Sequence, residues 1–334
     1  MRVWSKTVVL AIVAAASIPL ASRADTEWDK TVAAAKAEGA VIVYTSTTNA
    51  AMKKIGAAFE ARYGIPATVQ YLRSAELRER LRTEHTSGRA VADVVMSGNT
   101  FRSFSPEFLQ KHPPLPNAAK LKAPAKDDGL YIQTYILPFG LLVNTSLVKP
   151  EDEPKSWKDL TDPKWKGKLL GDDPRAQGGG NVTFWVLQEK LGRDYLEAMG
   201  KQGMVYTTDP SNSERRIAQG EFPLYVAFVL GNIAKLQGLP VKPIVPVEGA
   251  PYNDGVATIM AGARHPNAAR LYLDFLMSDE AQDLILSDGL GSVTGRPSDP
   301  LPPSSKFIAS INLMGNADPA KQSESLRLMG EVFK

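Results

Sequence analysis

The stretch that decides the fold opens with AVIVYTSTTN at residues 40–49 and closes with ADVVMSGN at residues 92–99. Three apolar runs in it, AVIVY, ATVQYL and ADVVM, are typical of buried strands. Between these runs, apolar residues recur at helical spacing after Ala50 and again after Ser74. The order strand, helix, strand, helix, strand predicts a parallel sheet with helices on both faces, which is the α/β class.

Two polar loops follow the first and third of these predicted strands. The first loop holds Ser46, Thr47 and Asn49, and the second holds Ser97 and Asn99. In sheets of this kind, ligands bind outside the carboxyl ends of the strands. Because these five side chains are uncharged, we expect them to hold a solute through hydroxyl and amide hydrogen bonds.

Length and composition describe an ordinary globular protein with more than one core. The chain has 334 residues, of which 43% are hydrophobic and 22% are charged. A chain of this length exceeds the size of a comfortable single core, so we expect two lobes. Cysteine is absent. That excludes disulfides, thiolate metal sites, iron–sulfur clusters and a lipid anchor on an N-terminal cysteine.

The first 24 residues have the pattern of a cleaved signal peptide. Arg2 and Lys6 precede an apolar run at 7–20, and Ser22-Arg23-Ala24 supplies small residues before a cut ahead of Asp25. The run is short for a membrane anchor, which needs about 20 apolar residues. We therefore expect a protein secreted to the periplasm.

The charge of the mature chain gives no support to a nucleic-acid or membrane-surface partner. The whole chain has 39 Lys and Arg residues against 36 Asp and Glu residues. Three of the basic residues and none of the acidic residues lie in the predicted signal peptide. The mature protein would then be close to neutral, so we expect no nucleic-acid partner.

A glycine-rich loop before a predicted helix is the sharpest local motif. Arg175 and Gln177 lead into Gly178-Gly179-Gly180 and then Asn181. Glycines let the backbone approach a ligand closely, and helix N-terminal amides favour an anion. The Arg175 guanidinium adds a fork suited to a carboxylate or phosphate. These residues are the predicted anion-binding side of the site.

Motifs for catalysis and for metal binding are poorly developed. The three histidines, His85, His112 and His265, lack metal-ligand spacing, and no G-x-S-x-G occurs. We therefore predict no enzyme activity and no cofactor. Tyr225 and Tyr252 lie near predicted strand ends, where a phenol could stack on a solute or donate to it.

Five segments together resemble one known family, that of the periplasmic solute-binding proteins of ABC transporters, in its ferric-iron-binding-protein-like group. They are VIVYTSTTN at 41–49, FEARYGI at 59–65, ADVVMSGN at 92–99, PKSWKDLTDPKWKGKLLGDDPRAQGGGN at 154–181 and HPNAARLYLDFLMSDEAQ at 265–282. The resemblance covers nearly the whole mature chain.

This resemblance implies a two-lobed type 2 periplasmic binding protein fold, each lobe a mainly parallel sheet flanked by helices, with a hinge between them. After the signal peptide at 1–24, lobe 1 would hold residues 25–129 and about 250–290. Lobe 2 would hold residues 130–249 and about 291–334. One solute would bind in the cleft, and the closed form would dock as a monomer on a membrane permease.

The resemblance leaves the ligand open. Iron-binding members typically carry adjacent tyrosines just after the strand that here ends near Tyr225, and this chain has Ala-Phe-Val-Leu at 227–230. Other members bind organic phosphates, phosphonates or related anions, which the Arg175 loop fits better. We therefore expect a small anionic solute. A ferric-ion receptor using tyrosines such as Tyr225 and Tyr252 with a synergistic anion is the first alternative. A secreted enzyme on the same fold is the second.

Overall fold

The computed structural model describes residues 20–47, 50–296 and 301–334, and for residues 20–26 it describes the backbone alone. Most of the predicted signal peptide, and Asn49 of the first polar loop, lie outside the described residues. In the part of the chain that is described, no helix combines the length and apolarity that crossing a bilayer requires.

The α-helices of the described residues are α1 (Leu20–Glu38), α2 (Ala50–Tyr63), α3 (Ser74–Thr86), α4 (Gly179–Leu191), α5 (Arg193–Gly200), α6 (Pro210–Ala218), α7 (Pro266–Leu276), α8 (Asp279–Ser287) and α9 (Gln322–Val332). The strands are β1 (Val41–Thr45), β2 (Ala67–Tyr71), β3 (Val94–Gly98), β4 (Leu109–Gln110), β5 (Ile132–Asn144), β6 (Leu169–Asp172), β7 (Val205–Thr207), β8 (Leu224–Val229), β9 (Val241–Ile244), β10 (Ala250–Met260) and β11 (Leu313–Asn316). Short 3-10 helices lie at Asn99–Ser103, Pro106–Phe108, Pro116–Lys120, Pro150–Asp152, Trp157–Thr161, Pro163–Trp165, Leu230–Leu236, Pro303–Ser310 and Pro319–Lys321.

One continuous sheet runs through the molecule in the order β2-β1-β3-β10-β5-β8-β6-β7. At one end β1 pairs in parallel with β2 and β3, and at the other end β6 pairs in parallel with β7 and β8. The predicted α/β class is therefore confirmed. Strands β10 and β5 connect the two parallel groups through antiparallel pairing. They are the structural candidates for the hinge.

Strand β5 is longer than the sequence indicates. The pattern predicts two strands, at 131–135 and 140–144, whereas the structure has one strand that passes through Pro138. Up to Pro138 this strand pairs with β10, and from Phe139 onward it pairs with β8 and β9. Proline lacks the N–H that a central strand must donate, so it is tolerated where the strand changes partners.

Two large apolar cores lie on either side of this change of partners. The first joins residues of β1, β3, α2, α7 and α8, with Phe59, Tyr272 and Phe275 among its fully buried side chains. The second joins β8, α4, α5 and α9 around Trp157 and Phe184. Each core buries its own aromatic cluster, which is the physical basis of two lobes. The residue boundaries of the lobes stay a prediction.

Candidate functional site

A cavity of about 560 Å³ lies where the two lobes face each other. Its lining comes from both lobes: Thr47, Ala50, Tyr135, Leu137, Asp288, Gly289 and Leu290 on the first side, and Pro210, Ser211, Val229, Asn232 and Lys235 on the second. Thr47, Ser211 and Asn232 are among the lining residues that follow the carboxyl ends of β1, β7 and β8, whereas Tyr135 and Leu137 lie within β5 and residues 288–290 follow α8. The placement agrees with the rule for ligand sites in open α/β sheets.

Hydroxyl groups of lobe 1 meet at the carboxyl ends of β1 and β3. The Oγ atoms of Ser46 and Ser97 lie 2.7 Å apart, and Thr47 Oγ1 lies 2.8 Å from the Tyr135 hydroxyl. Burial raises the pKa of Tyr135 to about 12, so the phenol keeps its proton. The hydroxyls of Ser46, Thr47 and Ser97 thus lie at the same edge of the sheet, and all three are neutral. Tyr135, from the hinge strand, joins them without having been predicted.

Asn99 and Tyr252 lie in a different place. Asn99 is buried, and its amide nitrogen donates to Asn316 Oδ1 at 3.0 Å and to the Ala317 carbonyl at 3.1 Å. Both residues line a second cavity of about 650 Å³, together with the buried carboxylate of Asp254. Burial raises the pKa of Tyr252 to about 12, and the charge of Asp254 adds to this rise. The two cavities share no lining residue.

The glycine-rich loop is folded onto its own strand. The N–H of Gly180 donates to Asp172 Oδ2 at 2.8 Å, so a carboxylate of the chain already satisfies this amide of the α4 N-terminus. Desolvation raises the pKa of Asp172 although that hydrogen bond opposes the rise. A Cβ on Gly180 would overlap the backbone of Asp172 and Asp173, and a Cβ on Gly179 would lie 2.6 Å from the Phe139 ring. The glycines here permit close packing of the chain on itself.

The charge of Arg175 is engaged within the same loop. Its Nε and Nη2 donate to the two carboxylate oxygens of Asp173 at 2.9 and 2.8 Å, and its guanidinium lies 4.5 Å from the centroid of the Tyr206 ring. The hydrogen bond from Arg175 holds the pKa of Asp173 below its usual range. Gln177, the other polar residue of the loop, is exposed. A solute would have to compete with Asp173 for the Arg175 fork.

Asn181 ties this loop to the C-terminal helix. Its amide nitrogen donates to the Pro174 carbonyl at 2.8 Å, and its oxygen accepts from Gln322 Nε2 at 3.1 Å and Ser325 Oγ at 3.0 Å. Only 1% of Asn181 is exposed. These contacts satisfy the buried amide inside the protein, as burial of a polar group requires.

Tyr225 is likewise part of the interior of lobe 2. It is 1% exposed and packs in a cluster with Leu142 and Phe228. Burial is the main cause that raises the pKa of Tyr225, with the charges of Asp172 and Glu214 adding to it. The phenol is therefore protonated and enclosed in lobe 2, and it does not line the interlobe cavity.

Sequence reasoning missed two polar residues that follow β8. Lys235 Nζ donates to Asn232 Oδ1 at 3.1 Å, and Asn232 Nδ2 donates to Glu214 Oε1 at 2.6 Å. Glu214 is 6% exposed, and desolvation raises its pKa. The rule that ligands gather at strand carboxyl ends, applied to β8 as well as to β1 and β3, would have found Asn232 and Lys235.

The start of α6 forms the neighbouring wall. Asp209 caps this helix by accepting the N–H of Asn212 at 3.0 Å, and Pro210 occupies the first helical position, where no N–H is needed. This capping turn presents Pro210 and Ser211 to the interlobe cavity.

The described residues hold no cluster of three or more His, Asp or Glu side chains that could bind a metal ion. In the segment where iron-binding relatives would have paired tyrosines, Val229 lines the cavity and Leu230 is buried. Apolar side chains supply no oxygen ligand for a hard cation. Whether the solute is an anion or a ferric ion stays a prediction.

Two lobes joined by hinge strands around a polar cavity define the class of the two-lobed solute-binding proteins. Residues 44–283 match the family described as bacterial extracellular solute-binding protein, and this chain belongs to that family. An uncharacterised protein of Haemophilus influenzae is 30% identical over 275 residues, which cover 76% of this chain and 78% of the relative.

Solved structures show the same two-lobed type 2 fold. Iron-bound HitA from Pseudomonas aeruginosa superposes with a TM-score of 0.72 at 21% identity, covering 88% of this chain and 99% of HitA. The periplasmic binding protein AfuA from Actinobacillus pleuropneumoniae, solved with exogenous fructose 6-phosphate bound, gives a TM-score of 0.66 at 25% identity, covering 88% of this chain and 98% of AfuA. The predicted ferric-iron-binding-protein-like fold is thereby confirmed.

Proposed function

We propose that the protein is the periplasmic receptor of an ABC importer and that it captures one small anionic solute between its lobes. The observation that carries this proposal is the cavity of about 560 Å³ that both lobes line with hydroxyl, amide and ammonium groups. A volume of about 300–1,000 Å³ is typical of small-molecule sites. Family membership supports solute binding.

The anionic character of the solute rests on the hydrogen-bond donors and on the Lys235 ammonium that line the cavity. Thr47 and Tyr135 offer hydroxyls from lobe 1, and Ser211 offers one from lobe 2. The hydroxyls of Ser46 and Ser97 are bonded to each other outside this lining, and they would reach a solute only by exchanging that bond. Hydrogen bonds to an ionised group contribute about 1.5–3 kcal/mol each, so a few of them suffice for specific binding. The binding of fructose 6-phosphate to AfuA supports a phosphate-bearing solute here.

Arg175 and Gln177 are proposed as contacts at the rim of the cleft. Both are exposed, and Arg175 would reach an anion by exchanging its bond with Asp173. Gly179, Gly180 and Asn181 would then act by shaping the loop. Asn99, Tyr225 and Tyr252 would act through the hinge and the lobe 2 core, because their polar groups lie away from the interlobe cavity.

Capture would close the two lobes around the solute. A ligand that contacts both lobes binds the closed form better than the open form, and this difference in affinity shifts the equilibrium toward closure. Strands β5 and β10 are the connections about which the lobes would turn. The closed form would deliver the solute to the membrane permease, and the predicted signal peptide would export the protein to the periplasm.

Native mass spectrometry of the gently purified mature protein, with metal analysis of the same sample, tests the proposal. We expect a bound organic anion and no stoichiometric iron. Stoichiometric iron without an organic solute would overturn the small-anion proposal and favour the ferric-ion alternative. Bound solute that carries no negative charge would leave a solute receptor but contradict the anionic class.

A further inference from the structure

Lys235 is the basic residue that lines the interlobe cavity. Among the ion pairs of the described residues none involves Lys235, whose ammonium donates to Asn232 Oδ1 at 3.1 Å. Arg175, the cation that the sequence favours, is by contrast held by both oxygens of Asp173. The Glu214 carboxylate acts on this ammonium through its charge and makes no ion pair with it. An ammonium whose hydrogen bond goes to a neutral amide keeps more of its capacity to bind an anion than a guanidinium held by both oxygens of a carboxylate.

The orientation of Asn232 is set by a buried carboxylate. Glu214 Oε1 accepts the Asn232 Nδ2–H at 2.6 Å, which fixes the opposite end of the amide, its oxygen, toward Lys235. An amide that donates at one end and accepts at the other has a defined orientation. Glu214 itself is 6% exposed, so the pair is anchored inside lobe 2.

The other side of the cavity carries the opposite charge. Asp288 lines it together with Gly289, while Thr47 and Tyr135 present neutral hydroxyl groups. A negatively charged group of a solute is repelled by the Asp288 carboxylate and attracted by the Lys235 ammonium. The field inside the cavity therefore favours one orientation of a solute that has an anionic end and a hydroxylated end.

We infer that Lys235 is the residue that selects an anionic solute, and that Glu214 is a positioning residue that holds Lys235 in place through Asn232. The inference rests on the proposed anionic-solute function and deepens it. The negative group of the solute lies toward lobe 2 at Lys235. The uncharged, hydroxyl-bearing part of the solute lies toward Thr47 and Tyr135 of lobe 1.

Isothermal titration calorimetry with inorganic phosphate, citrate and fructose 6-phosphate tests this inference. Lys235→Met keeps most of the length of the unbranched side chain and removes its charge. For each of these anions that the wild type binds, we expect Lys235→Met to raise the dissociation constant by about tenfold or more. The reason is that the substitution removes a hydrogen bond between charged groups. Lys235→Arg should restore much of the loss. Lys201→Ala, which removes an exposed lysine elsewhere on lobe 2, is the matched control and should bind as the wild type does.

Variants of Glu214 separate positioning from folding. Glu214→Gln keeps an acceptor for Asn232 and should bind the anion nearly as the wild type does, whereas Glu214→Ala should weaken binding. A merely structural role would lower the melting temperature of Glu214→Ala and leave the affinity of its folded fraction unchanged.

The outcomes distinguish the two levels of the proposal. Wild-type binding of an anion that Lys235→Met retains in full would overturn this inference and leave the proposed function standing. Failure of the wild type to bind any of the three anions would overturn the anionic-solute proposal and this inference together.

Discussion

Two segments of lobe 2 use the same kinds of residue differently. The loop between β6 and α4 holds Arg175 and three glycines, and the segment after β8 holds Lys235 and Gly231. In the first segment the cation binds Asp173 and the helix amide binds Asp172. In the second segment the cation faces a cavity shared with lobe 1.

Gly180 and Gly231, which both lie close to backbone atoms, differ in the same way as the two segments that hold them. A Cβ on Gly180 would overlap the backbone of the strand end next to it, within lobe 2. A Cβ on Gly231 would overlap the carbonyl oxygen of Gly289, which follows α8 and directly precedes Leu290 of the first core. The first glycine closes a loop on itself, and the second brings the two lobes into contact. A motif rich in glycine and arginine is therefore a weaker indication of a ligand site where a carboxylate of the protein already binds its cation, as Asp173 binds Arg175.

Alanine substitutions at the two glycines are expected to have the largest effects. Gly180→Ala and Gly231→Ala each force backbone to move, and such overpacking costs about 1–3 kcal/mol of the free energy of unfolding. Urea denaturation measures both losses. We expect Gly231→Ala, and not Gly180→Ala, to change the small-angle scattering profile as well, because it separates the lobes. Identical scattering of both variants and the wild type would contradict the assignment of Gly231 to a lobe–lobe contact.

A change at Asp172 should alter how stability depends on pH. Burial raises the pKa of Asp172 above its unfolded value of 3.8, so the folded state binds the proton more tightly than the unfolded state. The contribution of Asp172 to stability is therefore greatest at low pH and falls as pH rises through the raised pKa.

Asp172→Asn removes this dependence. Relative to the wild type, its free energy of unfolding should increase as pH rises from about 4 to about 7. Urea denaturation across this pH range measures the difference. Asp173→Asn is the control, because the pKa of Asp173 is lowered in the folded protein. Its difference from the wild type should stay nearly constant from pH about 4 to about 7 and change, with the opposite sign, only at lower pH. A constant difference between Asp172→Asn and the wild type would show that the carboxyl has the same pKa in both states.

The smallest effect is expected at Arg175. Its ion pair with Asp173 is partly exposed, and such pairs contribute less than about 1 kcal/mol to stability. Arg175→Ala should leave the unfolding transition almost unchanged and reduce anion binding less than Lys235→Met does. Calorimetry of the two variants under one buffer condition makes this comparison. A larger loss for Arg175→Ala would reverse the roles assigned to the two segments.

Much of the fold could be predicted from the sequence because its signals are local. The apolar runs of β1, β2 and β3 and the helical spacing of α7 and α8 lie within short windows. Strand β5 was wrongly divided at Pro138, since no local pattern shows that the strand exchanges one partner for another there.

The site was harder to predict because buried amides are decided by distant partners. Asn99 donates to Asn316, and Asn181 accepts from Ser325. Both partners are distant in sequence, so the residues around Asn99 and Asn181 do not indicate these contacts. We predicted that Arg175 is free to bind a ligand, because the sequence does not show that Asp173 accepts its hydrogen bonds. The hydroxyl groups of Ser46 and Ser97 did come together, since adjacent parallel strands place their carboxyl ends side by side.

Closure of the lobes around an anionic solute is the central claim, and a distance measurement across the cleft tests it most directly. The chain has no cysteine, so Tyr71→Cys on lobe 1 and Leu239→Cys on lobe 2 give two unique labelling sites, at residues 46% and 47% exposed. Spin labels at these positions report the interlobe distance by double electron–electron resonance. We predict a shorter distance when fructose 6-phosphate, or the solute recovered from the purified protein, is added. An unchanged distance with the solute bound would contradict capture by closure.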